Sequence, residues 1–225
     1  MNYKLFSFDK IPSTQTYAHE LIARGDAADR TIILAAAQSA GRGRYRRKWV
    51  SHHGNLYASF IYKAAERRPT LSYAVAVAVA ETLISFGMYP QIKWPNDILM
   101  DGKKMAGILI EYSKNFVIVG IGINIKSNPS VAGYETTKTD SFRIGITRDA
   151  MLAELMESMD NWIGKIVRGD FDSVRNRWTE LALVPNSEIK YQGRLVAFCG
   201  INNDGALVLR RGSEYILTFG DEISI

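Results

Sequence analysis

Between Gly41 and Trp49 the chain reads Gly41-Arg42-Gly43-Arg44-Tyr45-Arg46-Arg47-Lys48-Trp49, which puts four arginines, one lysine and two glycines into nine residues. Unpaired charge at that density cannot enter a core, so the run is either a solvated basic loop or an anion site. The glycines favour the anion site, because they let backbone approach a ligand closely and reach φ > 0. Guanidinium forks beside free backbone N–H groups suit a phosphate or a carboxylate. Trp49 ends the run with a flat apolar surface that can lie against a ring.

Three further constellations carry polar groups where a strand would otherwise be apolar. Lys93-Trp94-Pro95-Asn96-Asp97 ends a strand at proline and exposes an amide and a carboxylate; turn chemistry alone also accounts for Asn and Asp there. In Lys103-Lys104-Met105-Ala106-Gly107-Ile108-Leu109-Ile110-Glu111 a lysine stands at the mouth of an apolar strand, as a point charge aimed into a site or as a solvated residue beside a turn. Gly120-Ile121-Gly122-Ile123-Asn124-Ile125 places glycines inside a strand, which marks a bulge or a close approach of backbone or ligand. No helix follows these glycines, so they are not a dinucleotide fingerprint.

The elements that must position these groups follow from period and punctuation. Ser13 reads as the N-cap of a helix whose apolar residues Tyr17, Ala18, Leu21 and Ile22 repeat at helical spacing up to Gly25. Ile32–Ala37 reads as a buried strand that delivers Gln38 and the basic loop, and Leu56–Tyr62, after the turn Gly54-Asn55, as a second strand. Leu71–Phe86 is a long apolar helix ending at Gly87. Ile98–Met100, Asp101-Gly102 and Met105–Glu111 form a hairpin signal, and Phe116–Val119 with Ile121–Ile125 continues the sheet. Residues 126–146 are polar and aperiodic, as expected of a mobile loop. Arg148–Val167 and Phe171–Leu181 are amphipathic helices, with Pro185 after them. From there to Ile225, short β runs alternate with turns at Gln192-Gly193, Asn203-Asp204-Gly205, Arg211-Gly212 and Gly220-Asp221, the pattern of a small barrel or sandwich.

Composition bounds the function. With 225 residues, 47% hydrophobic and 23% charged, the chain fits one large domain plus a small appendage of an ordinary soluble protein. The net charge of +5 permits anionic ligands without requiring nucleic acid. Three histidines and one cysteine leave little for a metal site, so no protein-bound metal is expected. Cys199 alone forms no internal disulfide, and the segment from Met1 to Phe6 lacks the apolar region of a signal peptide. The apolar run Ala74–Ala80 is too short for a bilayer. A cytoplasmic protein without membrane or nucleic-acid partners is the expectation.

Each motif alone is weak, but their order and spacing resemble those of the biotin protein ligases. The resemblance runs through Ser13-Thr14-Gln15, Gly41–Trp49, Gly54-Asn55-Leu56-Tyr57, Lys93–Asp97, Lys104–Glu111 and Gly120–Ile125, and the tail segment Asn203-Asp204-Gly205-Ala206-Leu207 matches the family's small C-terminal barrel. It implies an α+β fold: a mixed-sheet catalytic domain related to class II aminoacyl-tRNA synthetases over residues 1–183, then an SH3-like β-barrel over 184–225. It implies activation of biotin with ATP and Mg²⁺ to biotinyl-5′-AMP, then transfer to a lysine of a biotin carboxyl carrier protein, and it leaves a homodimer open. The same resemblance gives Lys104, Arg42, Arg44 and Asp97 catalytic roles. Ser13, Thr14, Gln15, Gln38, Arg42, Gly43, Arg44, Lys104, Gly107 and Gly122 fall at biotin-binding positions. Arg44, Arg47, Trp49, Lys93, Asn96 and Asn124 fall at ATP-binding positions.

Two departures stand out. Gln15 replaces the family's usual Asn, and Tyr45-Arg46-Arg47 is bulkier than the family's glycine-containing loop centre. Some members add an N-terminal DNA-binding domain and repress transcription; only a dozen residues precede the first helix here, so repression is not expected. The rival readings are a lipoate or octanoate protein ligase, which would need a narrow apolar slot, and a basic nucleic-acid binder with salt-dependent affinity.

Overall fold

The computed structural model describes residues 3–130, 133–183, 188–219 and 223–224. Its first sheet is built from β1 (Lys4–Ile11), β2 (Thr31–Gln38), β3 (Leu56–Lys63), β4 (Gln91–Lys93), β5 (Asp97–Met100), β6 (Lys103–Ser113) and β7 (Phe116–Ile123), in the order β1-β2-β3-β7-β6-β5-β4. β1 runs parallel to β2 and every other neighbouring pair is antiparallel, so the sheet is mixed. The edge strand β1 was not expected from the sequence. Most of its side chains stay exposed or half-buried, so no strong apolar alternation announces it.

Register assigns the side chains to two faces. Tyr57 pairs with Gly122 and Ser59 with Gly120 across β3 and β7; Gly107 pairs with Gly122 across β6, and Asp97 with Gly107 across β5. Opposed residues share a face, so serine, glycines and Asp97 lie together on one side. Their neighbours Leu56, Ala58, Phe60, Val117, Val119, Ile121 and Ile123 point the other way into one buried cluster.

That apolar face is covered by α2 (Leu71–Ser85), α3 (Arg148–Val167) and α4 (Phe171–Leu181). α2 is apolar on nearly all sides because it is buried between the sheet and the other two helices. Thr147 caps α3 by accepting from the Ala150 amide at 3.1 Å, and Asp170 caps α4 through Ser173 at 3.2 Å. The opposite face is covered only in part, by α1 (Thr14–Arg24), whose Ala18, Leu21 and Ile22 pack on Ile33, Ile61 and Ile118. Beyond α1 the glycine- and serine-bearing part of that face stays uncovered by helix.

The Asp101-Gly102 turn has φ of 49° and 74°, the doubly left-handed geometry expected of Asp-Gly. The segment after β7, expected to be mobile, is anchored along much of its described length. The Asn55 Oδ1 accepts from the amides of Ile125, Lys126 and Ser127, and Lys104 exchanges backbone hydrogen bonds with Glu135 and Thr137.

The tail forms a second, antiparallel sheet of β8 (Glu188–Tyr191), β9 (Arg194–Ile201), β10 (Leu207–Arg211), β11 (Glu214–Thr218) and β12 (Ile223–Ser224), ordered β11-β10-β9-β8-β12. Left-handed glycines at 193, 205 and 212 fall in three of the expected turns; the expected turn at Gly220-Asp221 and the proline at 185 lie outside the described residues. The sheet fits a small SH3-like unit. It docks through Tyr73, whose hydroxyl donates to the Gly205 carbonyl at 2.6 Å, and through Phe198 against Trp178 at 6.3 Å between centroids.

Candidate active site

A cavity of about 380 Å³ opens on the glycine-bearing face, between the ends of β2, β3, β6 and β7 and the basic loop. Its floor is polar. The Gln38 Oε1 accepts from the Thr14 amide at 2.9 Å and from the Thr14 hydroxyl at 3.2 Å, and its Nε2 donates to the Ser51 hydroxyl at 2.8 Å. The Ser59 hydroxyl lies 2.9 Å from Thr14 Oγ1 and 3.0 Å from Gln15 Oε1. Fourteen of the sixteen residues assigned to the site from sequence line this cavity: Thr14, Gln15, Gln38, Arg42, Gly43, Arg44, Arg47, Trp49, Lys93, Asn96, Asp97, Lys104, Gly107 and Gly122.

The other two stand apart. Ser13 does not line the cavity; its buried hydroxyl accepts from the Thr16 amide and caps α1. Asn124 borders an adjoining recess with Trp49, Lys104 and Tyr134. Its Nδ2 donates to the Thr137 carbonyl at 3.0 Å, while its buried Oδ1 has no hydrogen-bond partner among the described residues. Ser59 and Tyr134 are cavity residues that were given no site role from sequence. Ser59 sits in an apolar strand with no local signal, and only its pairing with Gly120 reveals its place.

The loop over the cavity is a tight hairpin. Trp49 donates its amide to the Gly41 carbonyl at 2.9 Å, Gly43 donates to Arg47 at 2.8 Å, and Arg42 bridges to Lys48. At its tip Tyr45 and Arg46 hold φ of 53° and 59°, a left-handed conformation that costs energy for a residue with a Cβ and nothing for glycine. The bulky loop centre noted in the sequence therefore sits where glycine is favoured.

Trp49 turns inward. A Cβ added to Gly107 would fall 2.7 Å from its ring, and one added to Gly122 would fall 2.6 Å from the ring nitrogen. Glycine at both positions is what lets the indole lie flat on the sheet. Its buried Nε1 has no partner among the described residues.

Cations and anions are then set around this slot. The Lys104 Nζ lies 2.7 Å from Asp97 Oδ1, and 5.2 and 5.3 Å from the ring centres of Trp49 and Tyr134. Burial, with the negative charge of Asp97, pushes the Tyr134 phenol up. Arg44 donates to Asn96 Oδ1 at 3.2 Å, and Asn96 in turn donates to the Ile108 carbonyl at 2.8 Å, fixing the guanidinium to β6. Arg42 is held in a two-pronged pair with Glu111, at 2.7 and 3.2 Å. The arrangement joins a hydrogen-bonding floor, a flat aromatic wall and six cationic side chains, Arg42, Arg44, Arg47, Lys48, Lys93 and Lys104, within one concave space. Such a site can bind an uncharged polar ring at its base and bring an anion to its mouth.

Comparison with known proteins agrees with this geometry. The family model described as the biotin/lipoate A/B protein ligase family matches residues 7–128. The bifunctional ligase/repressor BirA of Bacillus subtilis is 31% identical over 228 residues, covering 93% of this chain and 70% of that protein. The biotin–[acetyl-CoA-carboxylase] ligase of Paracoccus denitrificans is 31% identical over 199 residues, covering 79% of this chain and 83% of that one. Among solved structures, the biotin protein ligase from Aquifex aeolicus in complex with biotin and ATP superposes with a TM-score of 0.87 at 25% identity, over 98% of this chain and 97% of that one. With a family match over more than half its length and relatives of this identity and coverage, the chain belongs to the biotin/lipoate A/B protein ligase family.

Proposed function

We propose that the chain is an ATP-dependent biotin ligase, which activates biotin as biotinyl-5′-AMP and transfers it to a lysine of a biotin carboxyl carrier protein. The observation that carries this reading is the polar floor of Thr14, Gln15, Gln38 and Ser59 beneath a loop of cations. A ureido ring needs donors and acceptors at the base of an apolar slot, whereas a lipoyl tail needs none. The relatives named as biotin ligases supply the same assignment independently.

In the first step, biotin's carboxylate attacks the α-phosphorus of ATP; a C–O–P link forms and pyrophosphate leaves. Two anions must meet, and preorganised cations reduce their repulsion at no reorganisation cost. Arg42 and Arg44 hold carboxylate and phosphate oxygens as forks, with Arg47 and Lys93 at the cavity wall. Lys104, kept in place by Asp97, follows the charge as it moves onto the anhydride oxygen. Mg²⁺ bound with ATP would neutralise part of the phosphate charge beside these cations. Trp49 and Tyr134 offer the adenine flat surfaces on the wall of the main cavity.

In the second step the carrier lysine attacks the acyl carbon, an amide forms and AMP leaves. An ordinary lysine is charged at neutral pH, and Asp97 orients it and draws off its proton. The Gly41–Trp49 hairpin shields the anhydride from water. No helix of the described chain is long and apolar enough to cross a membrane. We further assign residues 1–183 to the catalytic domain and 184–225 to the small β domain.

The test is direct. The purified chain is incubated with Mg-ATP, an apo carrier domain, and biotin or lipoate, and the carrier is weighed by intact-mass spectrometry. A biotin-sized, ATP-dependent increase that disappears with the carrier's lysine is expected. A lipoate increase in its place would overturn the substrate, and no increase with either acid would overturn the activity.

A further inference from the structure

Glu111 has no part in the reaction outlined above, yet it is one of the most heavily bonded side chains beside the site. It lies on β6, on the glycine-bearing face, opposite Ile118. Its carboxylate accepts from Gln15 Nε2 at 3.0 Å, from His19 Nε2 at 2.9 Å, and from both Nη atoms of Arg42. Gln15 in turn has its Oε1 3.0 Å from the Ser59 hydroxyl, in the cavity floor. The reach of Gln15 depends on Gly120, where an added Cβ would fall 2.6 Å from that same oxygen. A continuous path of hydrogen bonds therefore runs from Ser59 through Gln15 and Glu111 to Arg42. The departure from the family's usual Asn matters here, because the extra methylene carries the amide of Gln15 to Glu111.

Arg42 stands between two spaces. It lines the main cavity, and it also lines the hollow beneath the loop that Glu111 faces. Glu111 holds one hydrogen on each Nη. A guanidinium carries five N–H groups in a rigid fork, so its other edge is left to face the cavity.

We infer that Glu111 is a positioning residue: through Gln15 it ties Arg42 to the cavity floor and so fixes the distance between the floor's hydrogen bonds and the anion that Arg42 takes. The inference rests on the reading of the cavity as a biotin site. It gives the site a built-in ruler, in which the acid's carboxylate must reach Arg42 while its ring sits on Thr14 and Ser59. His19 and Arg42 are the charged or titratable groups that face Glu111. Burial raises the carboxyl's pKa, and the bonds from His19 and Gln15, then the charge of Arg42, more than offset that and hold it below the usual carboxylate value.

The test uses the full chain and two readouts. Calorimetry compares biotin with biotin amide, which lacks the negative carboxylate. Glu111→Gln is expected to weaken biotin about tenfold, the size of one charge-assisted hydrogen bond, and to leave the amide unchanged. It adds no further loss in an Arg42→Ala background. Glu111→Asp, which keeps the charge and shortens the reach, should fall between wild type and Glu111→Gln. Equal weakening of acid and amide, or losses that simply add, would overturn the ruler. The second readout needs no ligand: NMR titration of the Glu111 carboxyl should move upward in Arg42→Ala and in Gln15→Ala. A carboxyl that does not move in either variant overturns the path. If wild type binds neither biotin nor its amide, the substrate reading fails, and the titration still decides the Glu111 network.

Discussion

The two faces of the seven-stranded sheet are made from the same strands and serve opposite ends. On the face toward α2, β3 and β7 present large, fully buried side chains: Leu56, Phe60, Val119, Ile123. On the other face the alternate positions of those strands carry Ser59, Gly120 and Gly122, with Gly107 beside them on β6. One face excludes water and holds the fold; the other, beyond the Ile61 and Ile118 patch that α1 covers, is cut back to glycine backbone and hydroxyls so that a side chain or a ligand can lie flat on it. A period of two lets a single strand meet both demands without compromise. Stability and chemistry are thus separable by residue parity, and substitutions one position apart should have different consequences.

The largest contrast should come from Phe60→Ala. Phe60 is fully buried among the helices, and a cavity of that kind costs about 3–5 kcal/mol; urea unfolding should show it, while the folded fraction keeps its KM for biotin. Its counterpart on the other side of the division is Lys104→Ala. That change should slow pyrophosphate release about 10²–10³-fold, the usual loss for one preorganised charge donor, and a rate near wild type would break the division by showing that the cavity's lysine is only structural. Gly122→Ala is subtler. Its new Cβ would fall 2.6 Å from the Trp49 ring nitrogen, so the indole must shift, and misplacement of that order costs about 10–100-fold in kcat/KM while the melting temperature holds. A large loss of stability instead would mean that the glycine is there for packing. Smallest is Arg46→Gly at the loop tip, expected to raise stability by about 1 kcal/mol because Arg46 already holds φ of 59°. Thermal unfolding checks it, and no gain would mean that the tip relaxes on its own.

Much of the site was legible in the sequence because its residues break local rules. A run of arginines between glycines cannot be buried, a lysine at the mouth of an apolar strand is conspicuous, and glycines inside a strand weaken it for a reason. Ser13, by contrast, follows a local rule: it caps the helix after it, as its type and position suggest, and leaves the cavity to Thr14. What stayed hidden depends on partners distant in the chain. Ser59 is an ordinary small polar residue in a β run until Gly120 is set opposite it. Glu111 reads as a strand-end carboxylate until α1 brings Gln15 and His19 to it, 96 and 92 residues away. β1 was missed because an edge strand beside one neighbour buries too little to force an alternation. The segment after β7 read as a free loop because its restraints come from Asn55 and from the backbone of Lys104, neither of which has any signature within the segment itself.

The aromatic contacts at the junction with the tail bear on how the chain is made. Tyr73 and Trp178 lie 5.3 Å apart, Trp94 packs against both from the cavity wall, and the far side of the cluster is closed by Phe198 and the Gly205 carbonyl. A ribosome releases the helices bearing Tyr73 and Trp178 before it has synthesised β9. Through that interval the growing chain displays an aromatic surface and an unanswered phenol directly behind the wall of its own active site, the kind of exposed patch that chaperones bind and that aggregation exploits. The small β unit thus arrives after the helices it covers and seals the cluster, which makes the pace at which it emerges a determinant of how much of the chain reaches a working form.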